Sequence, residues 1–192
     1  MESRERLLFI IEVAMLSALA FLLDLVSGII GNFWPQGGSI SLAMIPIFIL
    51  SFRWGLKGGL LSGLLLGLLQ VTLGKSQVTY PLQGFIDYFL AFSLVGMCGV
   101  FAKQVRDGLN NKRKSAVILY ITLGTFIGCL LRLFTHVLSG VYFFAEYAPK
   151  DSPVWIYSIV YNSSYMIPTF IVGAVVTSLI VLTAPRLVLR KI

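Results

Sequence analysis

The side chains able to do polar chemistry here sit inside apolar runs. They are Asp24, Asp87 followed by Tyr88, Arg132, the single histidine His136, Tyr157 and Asn162. An ionisable group held at membrane depth is costly, and by default it suggests a functional site. Tyr80, Tyr142, Tyr147, Trp34 and Trp155 fall near the same run ends. The set combines carboxylates, one imidazole, an amide and many aromatic faces, which is equipment for recognition. Aromatic rings attract cations through their quadrupole and stack on flat heterocycles. A carboxylate completes the recognition of a positive or amino-bearing ring. The natural ligand is a small, cationic or amino-substituted aromatic molecule.

Each of these residues also has a plainer reading. Tyr and Trp near the interface form the aromatic belt of most membrane proteins. A lone histidine on an apolar face is commonly a packing residue. Asp24 is either a site carboxylate or the partner of Arg132 across the bundle. Asp87 weighs towards a site, because Tyr88 flanks it and no basic residue lies nearby in sequence. Arg132, one turn before His136 and on the same helical face, is either a structural counter-ion or a group that holds Asp87, and the structural reading is preferred.

The elements that must carry these groups are membrane spans. The chain has 192 residues, 57% of them hydrophobic and only 12% charged, with mean hydropathy +0.89. A soluble chain of this size has too little interior to hide that surface. A crossing helix needs about 20 mostly apolar residues. The candidates run from Leu7 to Ile30, Ser39 to Phe52, Leu56 to Leu73, Leu82 to Ala102, Ser115 to Phe144 and Trp155 to Ala184. The second is short and suits a tilted, partly buried or re-entrant segment. Pro46 and Pro168 fall inside spans, where each is expected to kink its helix. The expected architecture is an all-α, six-helix integral membrane bundle forming one membrane domain over residues 1–192.

Charge orients the bundle. The net charge is +7, and the basic residues cluster between apolar runs, a loop pattern that sets nucleic acid aside as a partner. Six spans put Arg4, Arg6, Arg53, Lys57, Lys103, Arg106, Lys112, Arg113, Lys114, Arg186, Arg190 and Lys191 on one side. Only Lys75 and Lys150 fall on the other. Both termini are therefore expected in the cytoplasm, and Asp24, Asp87, His136, Tyr157 and Asn162 share the outer half. Arg4 and Arg6 precede an apolar run too long for a signal peptide, so that run reads as a retained first span.

Small residues add a second pattern. Ala14 and Ala18 form a small-xxx-small step, and Gly59, Gly63 and Gly67 a longer one. Such faces let helices approach closely. The glycines read as packing inside the monomer; for the alanines a partner interface and internal packing both stand. Cys98 and Cys129 lie in apolar runs without metal-ligand spacing and read as packing residues. No H-E-x-x-H, G-x-S-x-G or P-loop motif occurs, so neither an enzyme, a metal nor a cofactor is expected.

Taken together, several segments resemble one family. They are Ala14-Met15-Leu16-Ser17-Ala18, Met44-Ile45-Pro46-Ile47 leading to Ser51-Phe52-Arg53-Trp54-Gly55, Asp87-Tyr88, His136 with Ser139-Gly140, and Trp155-Ile156-Tyr157-Ser158 leading to Asn162. Over nearly its whole length the chain resembles the thiamine-specific S-components of energy-coupling factor (ECF) transporters. It is closest to bacillus-type members, which carry a similar Pro35-Gln36-Gly37-Gly38-Ser39 loop.

The resemblance implies a six-helix subunit that binds thiamine with high affinity near the outer face of a bacterial, Gram-positive cell membrane. It implies delivery through a shared module of one transmembrane coupling protein and two ATP-binding cassette ATPases. Ala14 and Ala18 match the family's docking face. Asp87, Tyr88, His136, Tyr157 and Asn162 match its thiamine pocket, with Asp87 and His136 at the polar edges of the aminopyrimidine and thiazolium rings. Phe144 stands where some members stack a Trp, and Trp34 and Tyr147 complete the aromatic set. Asp87 is one methylene shorter than the Glu common in the family, and no aromatic residue lies between Leu56 and Leu73.

Two other classes compete. A stand-alone secondary transporter or channel for an organic cation or thiamine precursor is weakened by the missing inverted repeat. An intramembrane enzyme using Asp87 and His136 as acid and base is weakened by the lack of a nucleophile.

Overall fold

A computed structural model describes residues 3–30, 34, 37–74 and 76–189. Six helices carry the chain: α1 Ser3–Ile30, α2 Met44–Trp54, α3 Leu56–Leu73, α4 Pro81–Asn110, α5 Lys114–Phe143 and α6 Val154–Thr183. All but α2 are long and apolar enough to cross a bilayer. The expected spans are recovered with small shifts in their ends. Lys75, Arg190, Lys191 and the Pro35-Gln36 part of the loop motif lie outside the described residues.

The short second span is the informative exception. Residues 39–43 are irregular, and only Met44–Trp54 is helical. Every residue from Met44 to Phe52 is buried. Non-helical backbone at membrane depth survives only inside protein, where its polar groups find partners. Here the Ser41 amide donates to Thr169 Oγ1 (3.1 Å) and the Leu42 amide to Ser27 Oγ (2.9 Å). Pro46 does not interrupt a span. It sits in the first turn of α2, where the amide it lacks has no helical acceptor anyway.

α1 lies at the edge. Leu7, Ile10, Met15, Leu22 and Ile29 are exposed, as are Ala14 and Ala18. Its inner face is pinned where Ser17 Oγ donates to Ser62 Oγ on α3 (3.1 Å). The α3 glycines pack inside the molecule, as expected. A Cβ at Gly63 would overlap the Phe92 carbonyl, and one at Gly67 the Tyr88 carbonyl. α3 therefore lies almost backbone-to-backbone on α4.

α4 is wound unevenly. Phe85–Leu90 forms a wide π turn and Gly96–Phe101 a tight 3₁₀ stretch. Such turns often mark functional positions, and the wide one carries Asp87 and Tyr88.

The basic end is stitched by two arginines. Arg53 meets Glu12 through Nε and Nη2 at 2.5 and 2.6 Å and reaches the Arg186 carbonyl at 3.1 Å. Arg106 Nη1 donates to the Phe52 and Arg53 carbonyls (2.9 and 3.1 Å). It thereby closes the last turn of α2, whose carbonyls lack helical partners.

Candidate functional site

At the opposite end, the C-terminal ends of α1, α3 and α5 meet the N-terminal ends of α4 and α6 around a cavity of about 900 Å³. That lies within the roughly 300–1,000 Å³ usual for small-molecule pockets. Asp87, Tyr88, His136, Tyr157, Asn162, Phe144, Tyr147 and Trp34 all line it. Every ligand residue expected from sequence thus falls on a single cavity, although five separate segments supply them.

Asp87 is the best-held group in the wall. Its Oδ2 accepts from Gln83 Nε2 (2.8 Å) and Ser139 Oγ (2.7 Å), and its Oδ1 meets His136 Nδ1 at 3.0 Å. His136 Nε2 in turn faces Arg132 Nε at 3.1 Å. A guanidinium only donates, so Nε2 accepts and the ring proton sits on Nδ1, aimed at Asp87. The imidazole is neutral. Gln83 also accepts from the Thr79 amide (3.0 Å), which ties the approach to α4 to the carboxylate. Gln83 and Asp87 occupy adjacent turns, as do Arg132 and His136, the i,i+4 relation that brings helical side chains together.

Arg132 and Asp24 do not pair. Among the described residues the one ion pair within 4.0 Å is Glu12–Arg53, and the Asp87 contact to His136 is a hydrogen bond to a neutral ring. Asp24 Oδ2 instead accepts from Gln70 Nε2 (2.7 Å) on the neighbouring α3. The Arg132 guanidinium lies over the Phe92 ring, 4.1 Å from its centroid, with Nε engaged by His136. Among the described residues, the charged side chains lining the cavity are Asp24, Asp87 and Arg132, two carboxylates to one guanidinium.

The aromatic side is a stripe that spacing could have revealed. Tyr157, Tyr161 and Tyr165 follow at four-residue steps on α6, with successive centroids 5.8 and 6.3 Å apart. Trp34 meets Tyr165 edge-on at 5.9 Å and donates from Nε1 to Ser164 Oγ (2.7 Å). The glycine loop rests on the same stripe. Tyr161 donates its hydroxyl to the Gly37 carbonyl (2.8 Å). Gly38, at φ +114°, leaves room for the Tyr165 ring, which a Cβ would strike at 2.6 Å. Asn162 serves mainly as scaffold, accepting from the Tyr165 hydroxyl (2.5 Å) and donating to the Ser158 carbonyl (2.8 Å). Gln70, Gln83, Tyr161 and Tyr165 were not singled out from sequence.

Comparison with known proteins completes the description. The family model for thiamine transporter protein (Thia_YuaJ) matches residues 10–189. The chain is 47% identical over 187 residues to thiamine transporter ThiT of Bacillus subtilis strain 168, covering 97% of both chains. It is 30% identical over 194 residues to thiamine transporter ThiT of Lacticaseibacillus paracasei, covering 100% of this chain and 95% of the other. A solved structure of ThiT from Listeria monocytogenes superposes with TM-score 0.89 at 34% identity, covering 97% of this chain and 100% of that one.

Proposed function

Because the chain belongs to the thiamine transporter protein family, we propose that it captures thiamine in the cavity around Asp87 and His136. One observation carries the reading: a cavity rich in aromatic rings is lined, among the described residues, by two carboxylates and one guanidinium. Thiamine is an organic cation of two flat rings joined by a methylene bridge. The tyrosine stripe, Trp34 and Phe144 offer faces for its rings. A carboxylate held by protein donors favours a positive, amino-bearing ligand over a neutral or anionic one.

The finer reading is an S-component of an ECF importer. The basic end faces the cytoplasm with both termini, by the excess of Lys and Arg there, and the cavity opens outward. The sequence contains no P-loop, so ATP-driven uptake runs through a coupling membrane protein and two ATPases docked beside α1. The organism's cell membrane is its place, in a Gram-positive bacterium like those of the matched relatives.

The test is thiamine titration of the purified, ligand-stripped protein in detergent, following Trp fluorescence. Saturable one-to-one quenching is expected, and no response at micromolar thiamine sinks the proposal. Uptake into vesicles by this protein alone would replace the importer subunit with a self-sufficient transporter.

A further inference from the structure

Gln83 sits on α4, one turn before Asp87, and is 2% exposed. The main chain settles which way its amide faces. The Gln77 carbonyl can only accept, so it meets Nε2 (3.1 Å), and the Thr79 amide can only donate, so it meets Oε1 (3.0 Å). The second proton of Nε2 goes to Asp87 Oδ2 (2.8 Å). An amide nitrogen has two protons to give, and both are spent inside the protein. Gln83 therefore has nothing left to donate to a ligand, although it stands in the cavity wall.

The same short stretch of backbone holds Tyr88, whose hydroxyl oxygen accepts from the Gln77 amide (3.0 Å). Main-chain groups of residues 77–79 thus support two neighbouring site residues, Tyr88 directly and Asp87 through Gln83. The Asp87 carboxylate also receives Ser139 Oγ (2.7 Å) and His136 Nδ1 (3.0 Å). Ser139 and His136 both belong to α5, whereas Gln83 ties the carboxylate to residues 77–79. A glutamine that merely closed the turn into α4 would need its bonds to Gln77 and Thr79 but none to Asp87. Given the thiamine reading, on which this rests, we propose that Gln83 is a positioning residue that locks the Asp87 carboxylate to the backbone of residues 77–79. The carboxylate then meets the ligand already oriented, and less ordering has to be met on binding.

The experiment is a double-mutant cycle, which isolates the coupling between two residues. Gln83→Met keeps the side-chain length and drops both polar atoms; Asp87→Ala removes the carboxylate. The unaltered protein, both single variants and the double variant are titrated calorimetrically, up to millimolar thiamine, and amide hydrogen exchange of residues 76–80 is followed without ligand. Gln83→Met is expected to weaken binding about fivefold or more when Asp87 is present and less than about twofold in the Asp87→Ala background. Exchange of the Thr79 amide should quicken about tenfold or more in Gln83→Met, while exchange along α5 stays as it was. Equal weakening in both backgrounds overturns the proposal and makes Gln83 structural. Unchanged affinity in Gln83→Met, or unchanged Thr79 exchange, overturns it as well. Gln83→Asn, one methylene too short to span both contacts, takes the same place in the cycle if Gln83→Met does not fold. Failure of the unaltered protein to bind thiamine removes the thiamine reading and this inference together, whereas additive effects on a protein that does bind remove this inference alone.

Discussion

Arg132 and His136 are joined head to side, the arginine Nε 3.1 Å from the imidazole Nε2. This contact decides which way the histidine faces chemically. It makes Nε2 an acceptor and leaves Nδ1–H for Asp87, 3.0 Å away. The cation thus acts on the carboxylate through a neutral ring, without an ion pair of its own.

The contact to Asp87 can be tested by substitution. The amide of Asn occupies the place of Nδ1, and that of Gln the place of Nε2. His136→Asn keeps a donor for Asp87, whereas His136→Gln turns its amide oxygen to the Arg132 donor and leaves Asp87 without the ring N–H. His136→Asn is expected to bind thiamine at least fivefold more tightly than His136→Gln in calorimetric titration. The reverse order would show that the contact to Arg132, and not the one to Asp87, is what the ring supplies to binding.

Asp87→Asn tests the carboxylate itself. Three donors converge on Asp87, and an amide must turn its own N–H towards one of them. The variant also removes a negative charge from the wall. Binding of the cationic vitamin should weaken by more than tenfold, about 1.4 kcal/mol or more. Unchanged affinity would make Asp87 a structural residue.

Most of the fold was legible because lipid asks for long apolar runs, and α1, α3, α4, α5 and α6 supply them. α2 was only half legible. Its polar backbone partners, Thr169 and Ser27, are distant in sequence, so nothing local set where coil ends and helix begins at Met44. The π turn over Asp87 was not legible, since an i→i+5 bond leaves no residue signature of its own. The cavity-lining set was found through charge at membrane depth and family resemblance. Asp24 stayed open between the site and Arg132 because its partner, Gln70, is uncharged, and charge alone does not point to it. Tyr161 and Tyr165 were missed although their spacing from Tyr157 marks one helical face.

The fluorescence signal should have one source. Trp34 lines the cavity, Trp54 is bound to Glu12 at the basic end (2.6 Å), and Trp155 is exposed and outside the cavity lining. A Trp54→Phe, Trp155→Phe double variant should retain the quenching produced by thiamine. Trp34→Phe should lose it. Quenching that survives in Trp34→Phe would place the ligand elsewhere.

Gly67→Ala probes the support of the site. The added methyl meets the Tyr88 carbonyl, a backbone atom of the π turn, so no side chain can swing aside. Overpacking of this kind costs about 1–3 kcal/mol. A lower melting temperature in detergent and weaker thiamine binding should appear together, because the displaced turn carries Asp87. A fall in stability with unaltered affinity would separate the α3–α4 contact from the site.

The last prediction concerns the exposed face of α1. Ser17 points inward to Ser62, whereas Ala14 and Ala18 remain exposed and form a shallow strip beside Met15, itself exposed. Lipid fills such a strip without needing small residues, but a helix packing closely does need them. Trp at positions 14 and 18 would project away from the core and away from the cavity end. Ala14→Trp with Ala18→Trp should therefore leave thiamine affinity of the purified protein unchanged while abolishing uptake in cells that carry the coupling protein and ATPases. Loss of binding instead would show that this face packs within the molecule. Intact uptake would move the docking surface to another helix.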